Sequence, residues 1–239
     1  MAGAWTVQAA ERSEQTRAIL DFLLGEYRRI FGTHVMHNAD CVVYNDPTAG
    51  GPRFIHADPY KIRLSQTSLG YWSQTVYQLS HEMCHFAMHQ TKRDRKFILS
   101  WFEETVCEAV SLYALDFASR EWYRCGLSRI SPDFYRHHRD YLEGLLANVA
   151  TDGLARCNTV ELLRNAEKMK LAESDRASHV RERNALFRAI LLNPLEVRYI
   201  LDYQWYLNAD GVTINFERWL TDNPCNLIRQ LSEIQPVRG

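Results

Sequence analysis

The sequence predicts an α+β protein that is mainly helical, and three observations support this fold class. Short β-branched and aromatic runs separated by turn residues occur only between residues 41 and 66. Apolar residues recur at helical spacing on both sides of that region. Beyond residue 125 the chain has the pattern of helices almost throughout. We therefore expect one small sheet set among helices.

The first predicted element is an amphipathic helix over residues 8–31. Its apolar positions lie on one helical face, and they are Ile19, Leu20, Leu23, Tyr27, Ile30 and Phe31. Gly32 follows directly, and glycine readily adopts the left-handed conformation that ends many helices. The helix is therefore expected to end at Phe31.

The strand region contains three runs, at residues 41–45, 53–57 and 61–66. They are separated by turn residues, namely Asp46-Pro47, Gly50-Gly51-Pro52 and Asp58-Pro59. This pattern predicts a small sheet.

Two further helices follow the strands. The first runs from about Tyr71 to about His89, with an apolar stripe of Val76, Leu79, Met83 and Phe86. The polar link "QTKRDRK" (90–96) leads to a second helix from about Leu99 to Ser119. A later helix is expected to begin at Ser131-Pro132, because proline is favoured at the first helical position.

Composition excludes several classes of function. The 239 residues carry a net charge of −1, so binding to nucleic acid through the phosphate backbone is not expected. No apolar run is long enough to cross a bilayer, and the amino terminus does not resemble a secretory signal. Six scattered cysteines without a C-x-x-C pair favour reduced thiols, although disulfide pairing stays open. A cytoplasmic location is the resulting expectation.

The segment "HEMCH" (81–85) carries the clearest chemistry in the chain. In a helix, residues four apart lie on one face, so His81 and His85 can offer two imidazole nitrogens to one zinc ion. Glu82 is rotated by about 100° from His81. Its carboxylate can therefore accept a proton from a water activated by the metal.

A catalytic zinc needs a third protein ligand, and the second helix supplies a candidate. Glu104 follows His85 after eighteen residues, and an antiparallel helix pair would return it to the level of the histidines. Glu108, one turn later, could accept a hydrogen bond from the outer nitrogen of a ligand histidine and so orient its ring. Glu103, by contrast, is expected to be a solvated acidic residue.

The motif "HEMCH", eighteen residues and "WFEET" resembles the gluzincin metallopeptidases, most closely the spacing of the M1 aminopeptidase-like branch. The resemblance implies one zinc per chain held by His81, His85 and Glu104, with Glu82 as general base and a peptide or protein as substrate. It implies a zincin-like core at 1–125 containing the small sheet. A helical C-terminal subdomain, 126–239, would close one side of the cleft.

The same resemblance makes "KIRLSQ" (61–66) an expected edge strand for pairing with an extended peptide. Two further observations limit what the resemblance to the gluzincins implies. The chain has no G-x-M-E-N segment upstream, so recognition of a free amino terminus is not supported. Met88 and Thr91 stand where the metzincin pattern needs glycine and histidine.

Alternative interpretations remain beside the hydrolase. One is a catalytically silent zincin-fold protein that retains zinc and acts as a binding or regulatory module. A di-iron site would need a second E-x-x-H, which the chain lacks. His89 lies about 12 Å along the helix from His81, too far to share an ion. Three residues of the segment 135–141 are weaker candidates for oxyanion stabilisation and more typical of a helix surface: Tyr135, His137 and His138.

Overall fold

The computed structural model describes residues 3–8, 12–91, 98–147, 180–209 and 214–233. Within these residues the fold is mainly helical α+β with one small mixed sheet, as predicted. Most of the predicted polar link at 90–96 lies outside the described residues.

The sheet has four strands among the described residues: β1 (Trp5–Gln8), β2 (Cys41–Asn45), β3 (Arg53–Ile55) and β4 (Tyr60–Leu64). Their order is β1-β2-β4-β3. The first three in that order run parallel, and β3 runs antiparallel to β4. Parallel neighbours need a long crossover, which a helix between β1 and β2 supplies.

The prediction of an edge strand at 61–66 was wrong. β4 lies between β2 and β3, with Ile62 opposite Val43 on one side and Phe54 on the other. Ile62 and Leu64 are fully buried, as expected of an inner strand. Among the described strands, β3 takes the edge position beside β4.

The helices are α1 (Ser13–Phe31), α2 (Thr33–Met36), α3 (Trp72–Thr91), α4 (Ser100–Glu121), α5 (Tyr135–Ala147), α6 (Val180–Leu192), α7 (Phe216–Asp222) and α8 (Asn226–Glu233). Short 3₁₀ segments at Trp122–Arg124, Gly126–Arg129 and Pro132–Phe134 connect α4 to α5, and a longer one, Pro194–Tyr206, follows α6. In the part of the chain described, no helix combines the length and apolarity that crossing a membrane requires.

Helix α1 ends where the sequence predicts but begins later. The N–H of Gly32 donates to the Arg28 carbonyl at 3.0 Å, and Gly32 has a φ of 105°, which glycine adopts without a steric penalty. Its ψ of 141° lies outside the left-handed helical conformation that was expected. The predicted start at residue 8 was wrong, because Trp5–Gln8 pairs with β2 as a strand. The helix begins at Ser13.

The chain divides into two compact units that do not follow chain order. Unit 1 comprises Met1–Gln90 and Val110–Leu145, and unit 2 comprises Thr91–Ala109 and Leu146–Gly239. The core of unit 1 includes Leu23 and Leu79, and that of unit 2 includes Ile200 and Trp219, all fully buried. The division at residue 125 inferred from the resemblance stays a prediction.

Candidate metal centre

Helix α3 carries the H-E-x-x-H motif, and hydrogen bonds fix the turn that precedes it. The Gln78 side chain accepts from the Ser65 N–H at 3.0 Å and donates to the Ser65 carbonyl at 3.3 Å. The Tyr27 hydroxyl of α1 donates to the Ser80 carbonyl at 2.7 Å. The backbone directly before His81 is therefore held by the end of β4 and by α1.

Three side chains bring their ligand atoms together as the sequence predicts. One ligand atom from each of His81, His85 and Glu104 lies within 4.8 Å of the other two. His81 is buried, at 1% exposure, and the other two are half-buried. This group could hold a metal ion.

The separation of the two histidine nitrogens suits zinc. Nε2 of His81 and Nε2 of His85 are 3.2 Å apart. Two nitrogens bound to a tetrahedral zinc at about 2.0–2.1 Å would lie about 3.3–3.4 Å from each other. Two imidazoles and one carboxylate also form a donor set that zinc accepts in catalytic sites. The residues present therefore fit the ion.

Glu82 does not belong to this group of ligand atoms. Its ligand atoms are not part of the cluster of three, although it directly follows His81 in the same helix. Its side chain is buried, at 3% exposure. Burying a carboxylate is costly unless charge or hydrogen bonds compensate it, and a bound cation would supply such charge.

Glu108 pairs with an arginine that the sequence did not indicate. The Arg183 guanidinium of α6 lies 3.9 Å from the Glu108 carboxylate, and both side chains are about nine-tenths buried. The predicted role of Glu108, to orient a ligand histidine, stays a prediction.

The prediction that Glu103 is solvated was wrong. It was expected to be solvated, yet its side chain is only 4% exposed. The Tyr203 hydroxyl donates to its carboxylate at 2.6 Å. Because Tyr203 lies a hundred positions later in the chain, no local pattern indicates this partner.

The remaining candidates lie elsewhere. The His89 ring packs against His56 at 4.0 Å between centroids and is not part of the ligand group, as predicted. His137 is exposed and Tyr135 is half-buried. His138, expected on a surface, is instead fully buried against Trp122, with Nδ1 at 3.0 Å from the Ser73 hydroxyl.

Comparison of the chain with protein-family models, with curated proteins and with solved structures finds no match. The site is therefore interpreted from its own residues and from the motif spacing.

Proposed function

We propose that the protein is a zinc-dependent metallopeptidase of gluzincin type with a zincin-like core. The observation that supports this most directly is the convergence of His81, His85 and Glu104. Glu82, which follows His81 in the chain, is buried. Two imidazoles and a carboxylate leave one position of a tetrahedral ion open, as a catalytic site requires.

Different residues of the chain would bind the zinc ion and transfer the proton. Zinc, when bound, would polarise the scissile carbonyl and lower the pKa of water towards about 7. His81, His85 and Glu104 would hold the ion. Glu82 would accept the proton of the attacking water and deliver it to the leaving amine.

The sheet offers a place for the substrate backbone. β3 (Arg53–Ile55) is the strand beside β4 that has no second neighbour among the described strands. An extended peptide could add to that edge through main-chain hydrogen bonds. This replaces the earlier expectation for residues 61–66.

The experiment is a peptide-library digest by wild type and Glu82→Gln, purified identically and loaded with zinc. Glutamine keeps the shape of the side chain but cannot take up the proton. We expect zinc binding to be retained and the rate of cleavage to fall by about 10²–10⁴-fold, the usual loss for a general base. The wild type treated with chelator and then reloaded with zinc serves as the control for metal dependence.

Three outcomes separate the interpretations. Cleavage that Glu82→Gln abolishes supports the peptidase. Equal cleavage by both proteins would contradict the proposed role of Glu82. Zinc binding without cleavage by either protein would favour the silent binding module.

A further inference from the structure

Tyr203 contacts the residue before helix α4 and two residues of its first turn. It lies in the 3₁₀ segment Pro194–Tyr206 and is buried, at 1% exposure. Its hydroxyl donates to the Glu103 carboxylate at 2.6 Å and accepts from the Leu99 N–H at 3.3 Å. Its ring lies 5.1 Å from that of Phe102. One side chain thus joins the backbone, a carboxylate and an aromatic ring at the start of this helix.

The same segment also bonds the end of helix α3. The Thr91 hydroxyl donates to the Leu201 carbonyl at 3.1 Å. Thr91 is the last residue of α3, and Leu99 directly precedes α4. Residues 201 and 203 therefore hold the chain on both sides of the connection between the two helices that carry the ligands.

The hydroxyl of Tyr203 compensates two groups that are costly to bury. The N–H groups at the start of a helix have no partner within the helix, and a buried carboxylate needs a donor. Burial, together with the Glu103 carboxylate, raises the pKa of the Tyr203 phenol above its usual range, so the phenol stays protonated and donates.

We infer that Tyr203 is a positioning residue for the metal ligand Glu104, which follows Glu103 in the turn that Tyr203 holds. The inference rests on the proposed metal centre. Tyr203 would not touch the ion or the substrate. By fixing the first turn of α4, it would keep the Glu104 carboxylate within reach of the two histidines.

The test compares the zinc affinity of wild type, Tyr203→Phe and Tyr206→Phe by competition with a chromophoric chelator. Tyr206 is a matched control, because it lies in the same segment and its ring stacks on Trp219 at 5.2 Å. Its hydroxyl accepts from Asn223 at 2.9 Å rather than from α4. We expect Tyr203→Phe to weaken zinc binding at least about tenfold, as loss of an orienting partner does, and Tyr206→Phe to leave it unchanged.

Substitution with Co²⁺ supplies a spectroscopic readout of the coordination itself. The visible absorption of the cobalt protein should change in Tyr203→Phe and stay as in wild type in Tyr206→Phe. A general loss of stability would not shift the bands of protein that remains folded. Unaltered zinc affinity and spectrum in Tyr203→Phe would overturn the inference, as would equal changes in both variants.

Hydrogen exchange on the wild type keeps the inference testable if Tyr203→Phe does not fold. Coupling between sites is reciprocal, so zinc should slow exchange in residues 194–206 as well as around Glu104. Protection confined to the ligands would overturn the inference while leaving the metal centre intact. A wild type that binds no zinc would overturn both, whereas zinc binding without peptidase activity would leave the inference standing.

Discussion

At the scale of single residues, the proposed metal centre depends on three side chains from two helices. Replacing His81, His85 or Glu104 by alanine should abolish the binding of about one zinc per chain, because two protein ligands hold zinc poorly. His89→Ala is the matched control, since its ring packs against His56 and Tyr60 instead. Elemental analysis after dialysis measures the result. Wild-type protein that stays free of metal after addition of zinc would contradict the site.

Glu108 gives a second prediction at this scale. Glu108→Ala should weaken zinc binding by about 10–100-fold if the carboxylate orients a ligand histidine. Asp116→Ala, two turns later in α4, is the control, because that carboxylate pairs with Arg120. Chelator competition gives the affinity. An unchanged affinity would contradict the orienting role of Glu108 and favour a role in pairing with Arg183.

The residues of the site differ in how far the sequence could predict them. The ligands follow from helical periodicity and the length of the intervening segment, both of which are local properties. Glu103 could not be assigned, because its partner Tyr203 comes from a distant part of the chain. Nothing in "WFEET" distinguishes a buried glutamate from a solvated one. His138 was misplaced for the same reason, since its partners Ser73 and Trp122 come from other elements.

At the scale of elements, Gln78 joins the end of β4 to helix α3 through two hydrogen bonds with Ser65. Gln78→Ala should destabilise the fold by about 1 kcal/mol, because the half-buried Ser65 N–H and carbonyl lose their hydrogen bonds to this side chain. Urea unfolding of the zinc-free protein measures the loss. Gln90→Ala is the control, since the hydrogen bond that its side chain accepts from Asn38 is exposed. Equal stability of the two variants would contradict the role of Gln78.

The helices were predicted better than the sheet for a physical reason. Helix α3 can be predicted from four apolar residues of its own sequence, because their spacing matches the helical repeat. β1 has only four residues, and its partner Cys41–Asn45 lies about 36 positions later, so its formation depends on a distant segment. Which strand lies at the edge depends likewise on pairing between strands, and periodicity within one strand does not determine it.

At the scale of the whole molecule, His138 makes stability depend on pH. Burial lowers the pKa of its imidazole to about 3, from 6.5 in the unfolded chain. The unfolded state therefore binds a proton that the folded state excludes between these values. Its contribution to stability is complete above pH 6.5 and falls as the pH falls, by about 2 kcal/mol at pH 5.

Urea unfolding at pH 7 and pH 5 tests this prediction. Wild type should lose about 2 kcal/mol more than His138→Gln between the two pH values. His34→Gln, an exposed histidine of α2 that does not contribute to the pKa shift of His138, should behave as wild type. A loss that is the same in all three proteins would show that other groups cause the acid sensitivity.

Helix α4 is a single run of 22 residues shared by the two compact units, because Ala109 belongs to one unit and Val110 to the other. This sharing constrains how the protein can evolve. Recombination that replaced one unit by an unrelated sequence would have to join the two sequences within helix α4. It would also separate the coding segment for Glu104 from that for His81 and His85. Both units would therefore have to be inherited together for the three proposed ligands to stay in one chain. We expect descendants of this gene to diverge by substitution and by loop insertion rather than by the shuffling of modules.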